Sequence, residues 1–413
     1  MDLLIKNIKQ IATPIGKRLK KDAEMKDIRI ANNVDVLIEN SMIKNIDNEI
    51  EVPENFKGTV ISAENLVATP GLVDPHTHIP FYGFRYDEFF QRQKGATYME
   101  IMKTGGGIVS TTKAVREASL EELVSFNRQF AEEMFKRGVV VFEGKSGYGL
   151  DTKSEIKQLK ALYMLEERVP QEIVKTFLGP HALAPEYPDY KSFMDHVLES
   201  MIDDIKSEFG TEIFADIFCE DGVFDAQQTE RYINYVKEKG FRIKMHADEI
   251  KDIGGSRLAV KYHAKSADHL IQIGEQAVKA IAASNTVATL LPGTSFFLGK
   301  PYAPARKLID SGAAVALASD FNPGSCTINH PGFISHLASS KLKMSPEEIL
   351  TAMTLNAAFA LGLEDEYGSI EIGKKGAVVL WDIPDYKFIP YFPGHDIVHT
   401  VIAPKKCLRL KGE

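Results

Sequence analysis

The sequence predicts an α/β protein: a (β/α)8 TIM-like barrel that carries a small discontinuous β-sandwich domain formed by both chain ends. Three observations predict it. Eight short apolar runs, beginning near Leu72, Val139, Ile173, Ile213, Arg242, Ser266, Thr286 and Ala314, alternate with amphipathic stretches through the middle of the chain. The two chain ends share a different texture, that of short β segments. Most of the middle runs finish in polar residues, as strands do at the rim where such barrels carry chemistry.

Residues 1–66 open with Leu3-Leu4-Ile5, Val34-Asp35-Val36-Leu37-Ile38 and Thr59-Val60-Ile61, apolar segments broken by polar turns. Residues 367–413 return to that pattern with Gly368-Ser369-Ile370-Glu371-Ile372-Gly373 and Ala377-Val378-Val379-Leu380-Trp381. Residues 67–366 between them are expected to form one inserted barrel. Length alone allows two or three domains, but barrels often use about 250 residues or more as one. Helices are expected over 120–137, 153–168, 226–239 and 274–283. An open doubly wound sheet is the rival architecture, and it usually shows a Gly-rich phosphate turn after its first strand. Here the first run ends instead in Asp74-Pro75-His76-Thr77-His78.

Composition removes several classes of function. With 49 Lys and Arg against 57 Asp and Glu, a net charge of −8 and scattered basic residues, the chain lacks the basic face that a nucleic-acid partner needs. No apolar run approaches the ~18 residues of a membrane span. The start, Met1-Asp2-Leu3-Leu4-Ile5-Lys6, shows no basic segment followed by a long apolar one, so neither signal peptide nor membrane is expected. Cys219, Cys326 and Cys407 are far apart and form no disulfide framework, which points to the reducing cytoplasm. Gly144-Lys145-Ser146 looks like the end of a phosphate-binding loop, but Val139 stands where that motif requires its first glycine. Gly105-Gly106-Gly107 lacks the following lysine and reads as a turn.

The chemistry lies at the strand ends. His76 and His78 are two apart on a strand, so both point to one side and can converge on an ion through bonds of about 2.0–2.1 Å. A lone His-x-His arises often by chance; its company matters more. His246 ends the fifth run and Asp320 the eighth. Three imidazoles and one carboxylate on one rim suit zinc or iron, with room for water. Glu249, three residues after His246, is near enough to handle protons on that water. His269 ends the sixth run as a ligand, a proton carrier or a structural histidine. His181, after the third, reads equally as a site residue or a structural one.

These residues resemble the amidohydrolase superfamily, with His-x-His on strand one, His on strand five and Asp on strand eight. Within it the chain resembles the imidazolonepropionase family. That likeness rests on Asp74-Pro75-His76-Thr77-His78, Thr104-Gly105-Gly106-Gly107-Ile108, Glu143-Gly144-Lys145-Ser146-Gly147-Tyr148-Gly149-Leu150 and His246-Ala247-Asp248-Glu249. It continues through Ser266-Ala267-Asp268-His269-Leu270 and Ser319-Asp320-Phe321-Asn322-Pro323-Gly324-Ser325-Cys326.

The resemblance implies one zinc or iron ion per subunit, held by His76, His78, His246 and Asp320. The fourth run ends in Phe218-Cys219-Glu220-Asp221, without the lysine that bridges two ions in some relatives, which fits a single ion. It further implies a small-molecule substrate, 4-imidazolone-5-propanoate, opened by water to N-formimidoyl-L-glutamate in histidine degradation, and a homodimer. Glu249, His269 and Asp320 would share the proton transfers. Arg85 would clamp the propionate, as a planar guanidinium suits a carboxylate. Tyr148, His181 and Glu249 would contact the substrate, with Asn322, Gly324 and Ser325 binding through side-chain or backbone groups. The segment Ile79-Pro80-Phe81-Tyr82-Gly83-Phe84 before Arg85 departs from the family pattern in its proline and extra aromatics. Two rivals remain. Another cyclic amidohydrolase or a deaminase would have no use for Arg85 if its substrate were uncharged. A metal-free scaffold derived from the fold would be expected to lose ligands, and all four are present.

Overall fold

In the computed structural model, which describes residues 1–95 and 106–411, the middle of the chain is a ring of parallel strands. They are Leu72–Asp74, Val139–Lys145, Glu172–Phe177, a fourth split into Phe214–Ala215 and Phe218–Cys219, then Arg242–Ala247, Ser266–His269, Val287–Leu290 and Val315–Leu317. Each pairs in parallel with the next. The ring closes between the eighth and first strands through a bridge from Thr77 to Phe321. There the Asp320 amide donates to the His76 carbonyl at 3.0 Å, and the His78 amide to the Phe321 carbonyl at 2.9 Å. The seam of the barrel therefore runs through the segments that carry His76, His78 and Asp320.

Helices pack outside the ring at Leu120–Lys136, Thr152–Arg168, Ala226–Glu238 and Glu275–Ala282, within two residues of the expected bounds. The first three begin where the side chains of Ser119, Asp151 and Asp225 accept a free backbone N–H of the first turn. Strands covered on both faces become continuously apolar, and Val139-Val140-Val141-Phe142 is buried throughout. The helix Leu120–Lys136 covers it with Leu123, Val124, Met134 and Phe135, among others, each fully buried side chain stabilising the fold by about 1.5–3 kcal/mol. Gly144 belongs to this packing. A Cβ there would meet Leu162 Cδ2 at 2.3 Å and the Ile79 carbonyl at 2.9 Å, so this glycine serves close approach.

The chain ends build an eight-stranded sheet from Leu3–Pro14, Ile28–Glu39, Met42–Asp47, Thr59–Ser62, Val67–Pro70, Val378–Trp381, Val398–Ala403 and Lys406–Arg409. Ile43, at one side of this sheet, shares a core with Val378, Leu380 and Ile402 at the other, so the sheet folds across its own interior. The Ile43 amide donates to the Lys374 carbonyl at 2.8 Å across that fold. Val67–Pro70 pairs with Leu3–Pro14 and Val378–Trp381, so the sheet takes in four residues beyond position 66. The segment Gly368–Gly373 is not a strand. Gly368 and Gly373 both have φ of 89°, which bends the chain into a loop that still plants Ile370 in the core. Ile372, the other apolar position of the alternation, is exposed, so the segment forms neither a ladder nor a buried face.

Among the described residues, no helix is long and apolar enough to cross a membrane. Thr104 and Gly105 lie outside the described residues, whereas Gly107, at φ 75°, leads into a helix over Ile108–Glu117.

Candidate active site

His76, His78, His246 and Asp320 meet at the C-terminal mouth of the barrel, all buried. The Nε2 atoms of His76 and His78 are 3.4 Å apart, and those of His246 and His78 also 3.4 Å. Asp320 Oδ1 lies 3.3 Å from His78 Nε2 and 3.5 Å from His76 Nε2. Bonds of about 2.0–2.1 Å to one tetrahedral ion put donors about 3.3–3.4 Å apart. Asp320 Oδ1 has no hydrogen-bond partner among the described residues, although it is buried. A buried carboxylate oxygen left so costs free energy unless a cation meets it, and with the three converging Nε2 atoms the donors fit a metal ion.

Protonation supports the same reading. Burial, reinforced by neighbouring cationic groups, holds the His76 imidazole well below its ordinary value, and burial takes that of His246 down to about 4. Burial would raise the Asp320 carboxyl, but the contacts with His78 and His269 outweigh it and hold the group down to about 2. Neutral His76 and His246 rings and an ionised Asp320 at neutral pH are the forms that bind a metal.

The strand ends are bent to deliver these groups. Asp320 has φ 54°, Asp248 54° and His269 79°, left-handed turns where the fifth, sixth and eighth strands leave the barrel. His269 joins His76 and Asp320 in a second possible ligand group, and its Nε2 lies 3.6 Å from Glu249 Oε2. Burial raises the Glu249 carboxyl above its ordinary value. Glu249 is held from behind. The buried Glu220 carboxylate accepts the amides of Glu249, Ile250 and Lys251 at 2.9–3.0 Å and so fixes the turn.

Tyr148 and His181 line the other side. The His181 ring stacks on His78 with centroids 5.0 Å apart, and Tyr148 lies 5.3 Å from His181. His181 Nδ1 donates to the Gly147 carbonyl at 2.8 Å, and burial keeps the ring neutral, well below its ordinary pKa. The loop beneath them is shaped by Glu155, whose carboxylate accepts the amides of Gly147, Gly149 and Leu150 at 2.8–2.9 Å.

Arg85 reaches the site at the end of an aromatic anchor. Phe81, Phe84, Phe126, Phe130 and Phe321 pack with ring centroids 5.2–5.9 Å apart. The aromatics that depart from the family pattern thus tie the segment after His78 to the one after Asp320. Arg85 is nearly buried, and its Nε has no hydrogen-bond partner among the described residues; Glu88 is 3.8 Å away. Its guanidinium lies against Gly324, where a Cβ would stand 1.6–2.0 Å from it. Gly324→Ala should therefore push the flexible end of Arg85 aside and raise KM at least about tenfold, with the melting temperature little changed. Steady-state kinetics beside a thermal melt checks this, and an unchanged KM would count against it.

Asn322 is occupied by its own loop. Its Oδ1 accepts the amides of Gly324 at 2.9 Å and Ser325 at 2.7 Å and the Ser325 hydroxyl at 3.0 Å, while Nδ2 donates to the Asp320 carbonyl at 2.7 Å. The structure thus brings Asn322, Gly324 and Ser325 together as a self-bonded turn beside Arg85.

The sequence reading missed a buried charged layer under the metal donors: Glu143, Lys145, Asp216, Lys244 and Asp268, all fully buried. One signal was present. Lys244 lies two residues before His246, and Glu143 two before Lys145, so each pair points to one side of its strand.

A family model described as the amidohydrolase family matches residues 67–405. Imidazolonepropionase of Kosmotoga olearia is 46% identical over 402 residues, covering 97% of each chain, and that of Parabacteroides distasonis 44% over 404 residues, again 97% of each. The chain belongs to the amidohydrolase family, among the imidazolonepropionases. A third imidazolonepropionase, from Alkaliphilus oremlandii, shares 42% over 421 residues, with 100% of this chain and 99% of that one covered. Solved structures extend the amidohydrolase fold more widely. Guanine deaminase of E. coli superposes with a TM-score of 0.75 over 100% of both chains at 13% identity. An adenosine deaminase from Xanthomonas campestris, solved with bound zinc, gives 0.73 at 16% identity over 98% of this chain and 92% of that one. At such identities the two deaminases speak for the amidohydrolase barrel alone.

Proposed function

We propose that this hydrolase opens 4-imidazolone-5-propanoate with water to N-formimidoyl-L-glutamate, using one zinc or iron ion held by His76, His78, His246 and Asp320. The observation that carries the reading is a nearly buried arginine, Arg85, whose Nε has no hydrogen-bond partner among the described residues, on the same rim as the four converging donors. Glu88 at 3.8 Å pairs that cation without a hydrogen bond to Nε; a substrate with a carboxylate arm would supply the missing partner, and a neutral cyclic one would not.

When bound, the ion supplies Lewis acidity, which brings the pKa of water down toward about 7. The remaining work belongs to side chains. Arg85 takes the propionate and fixes the ring's direction, while Tyr148 and His181 flank the ring. Water adds its oxygen to the ring carbonyl carbon, the C–N bond to the adjacent nitrogen breaks, and that nitrogen gains a proton. Glu249 Oε2, with His269 Nε2 beside it, takes the proton from water and returns one to the nitrogen. Asp320, the third group to share these transfers, enters the reaction as a carboxylate. Asn322, Gly324 and Ser325 hold the wall against which Arg85 lies. The reading includes a homodimer at work in the cytoplasm, which sedimentation and cell fractionation test.

The direct test is to incubate metal-loaded protein with freshly prepared imidazolone propionate and follow loss of its ultraviolet absorbance. No turnover above the spontaneous rate, with metal in place, sinks the proposal. Arg85→Ala should raise KM about 10–150-fold, the worth of a charged hydrogen bond of roughly 1.5–3 kcal/mol, with metal content unchanged. Equal loss of metal from that variant would make Arg85 structural.

A further inference from the structure

The buried layer beneath the metal donors has two matched arms. His76 Nδ1 meets Asp268 Oδ2 at 2.7 Å, and His246 Nδ1 lies 3.0 Å from Asp216 Oδ2, off the N–H axis. Each aspartate is held by a lysine: Lys145 Nζ is 2.8 Å from Asp216 Oδ2, and Lys244 Nζ is 3.7 Å from Asp268 Oδ2. Both lysines reach one oxygen, Glu143 Oε2, at 2.8 Å each, and Lys244 also donates to the Pro75 carbonyl. Glu143 in turn accepts the Thr176 hydroxyl. All five charged side chains are fully buried.

Five buried ions are costly, and removing any partner leaves another uncompensated. A hydrophobic layer of equal volume would fill a barrel at less expense. What this layer gives in return is direction. An imidazole that donates Nδ1–H to a fixed carboxylate presents Nε2 as a lone pair and cannot rotate away, and such outer partners typically govern metal affinity about 10–100-fold. His76 donates to such a carboxylate and His246 has one 3.0 Å away, off the N–H axis; His78 Nδ1 has no partner among the described residues and is steadied instead by the stacked His181.

We infer that Asp268 and Asp216, anchored by Lys244 and Lys145 on the shared Glu143, are positioning residues that aim His76 and His246 at the ion. This gives Lys145, in the Gly144-Lys145-Ser146 sequence that imitates a phosphate loop, its actual role. The inference rests on the metal reading proposed above.

Asp268→Asn keeps size and an acceptor oxygen but drops the charge. Competition against a chromogenic chelator should show zinc bound about 10–100-fold more weakly, and the visible spectrum of the cobalt-loaded variant should change. The circular dichroism of the metal-free variant should match that of the wild type. A folded variant whose zinc Kd stays within about twofold of wild type overturns the inference. The unaltered chain offers a second measurement that needs no variant. In metal-free protein with 15N-labelled histidine, His76 should carry its proton on Nδ1 near neutral pH; an Nε2–H tautomer overturns the inference even if Asp268→Asn fails to fold. Wild-type protein that takes up no zinc overturns the metal reading and this inference with it, whereas zinc uptake with the wrong tautomer overturns this inference alone.

Discussion

Asp320→Asn should fold, lose most of its metal and fall in turnover by more than about 100-fold, the upper end of what outer-shell partners alone cost. The substitution is chosen for the backbone. Asp320 sits at φ 54°, and asparagine is among the few residues that tolerate the left-handed region, whereas alanine there would add strain. The Thr294 hydroxyl, which donates to Asp320 Oδ2, still finds an acceptor in the amide oxygen. What disappears is the charge on Oδ1, the atom 3.3 Å from His78 Nε2 and 3.5 Å from His76 Nε2. Three imidazoles then face the ion without an anion. Elemental analysis of the purified variant, its turnover and its circular dichroism measure the three parts. A folded Asp320→Asn with full metal and turnover within about tenfold of wild type would remove Asp320 from the ligand set.

The four candidate ligands stood out in the sequence because each follows or ends a barrel strand, and a polar residue at that place is conspicuous in one dimension. The barrel strands were legible for the same reason: Val139-Val140-Val141-Phe142 and Ala314-Val315-Ala316-Leu317 are continuous apolar runs that only a doubly covered sheet needs. What stayed hidden depends on contacts between distant parts of the chain. Glu220 organises the turn of Glu249 from 29 residues away, and a carboxylate that binds backbone amides leaves no periodic trace. Lys145, Lys244 and Glu143 interrupt apolar strands, where a single charge reads as a surface residue until the pairing across the barrel is known; Lys244 and Glu143 are 101 residues apart. Gly368–Gly373 failed in the opposite sense: its isoleucines alternate as in a strand, but the left-handed Gly368 and Gly373 bend the chain so that Ile370 is buried and Ile372 exposed.

Glu249→Gln should lower kcat by about 10²–10⁴-fold, the usual worth of a general acid–base group, and leave the metal content as it is. Glutamine will sit where glutamate sits, because the backbone of residues 249–251 is fixed by Glu220 and not by the side chain being changed. The amide can still reach toward His269 Nε2, 3.6 Å from the present Oε2, but it carries no transferable proton at neutral pH. Binding should suffer far less than the chemical step, so KM should move little while kcat collapses. The pH profile separates this from general damage. Burial raises the Glu249 carboxyl, so the acid limb of wild-type kcat should fall at a pH above that of an ordinary glutamate: activity is present above its pKa and lost as the carboxyl takes up a proton below it. Glu249→Gln should lose that limb along with its rate. A variant that keeps the limb, or stays within about tenfold of wild-type kcat, would move the proton transfer away from Glu249 and leave His269 as the group to test next.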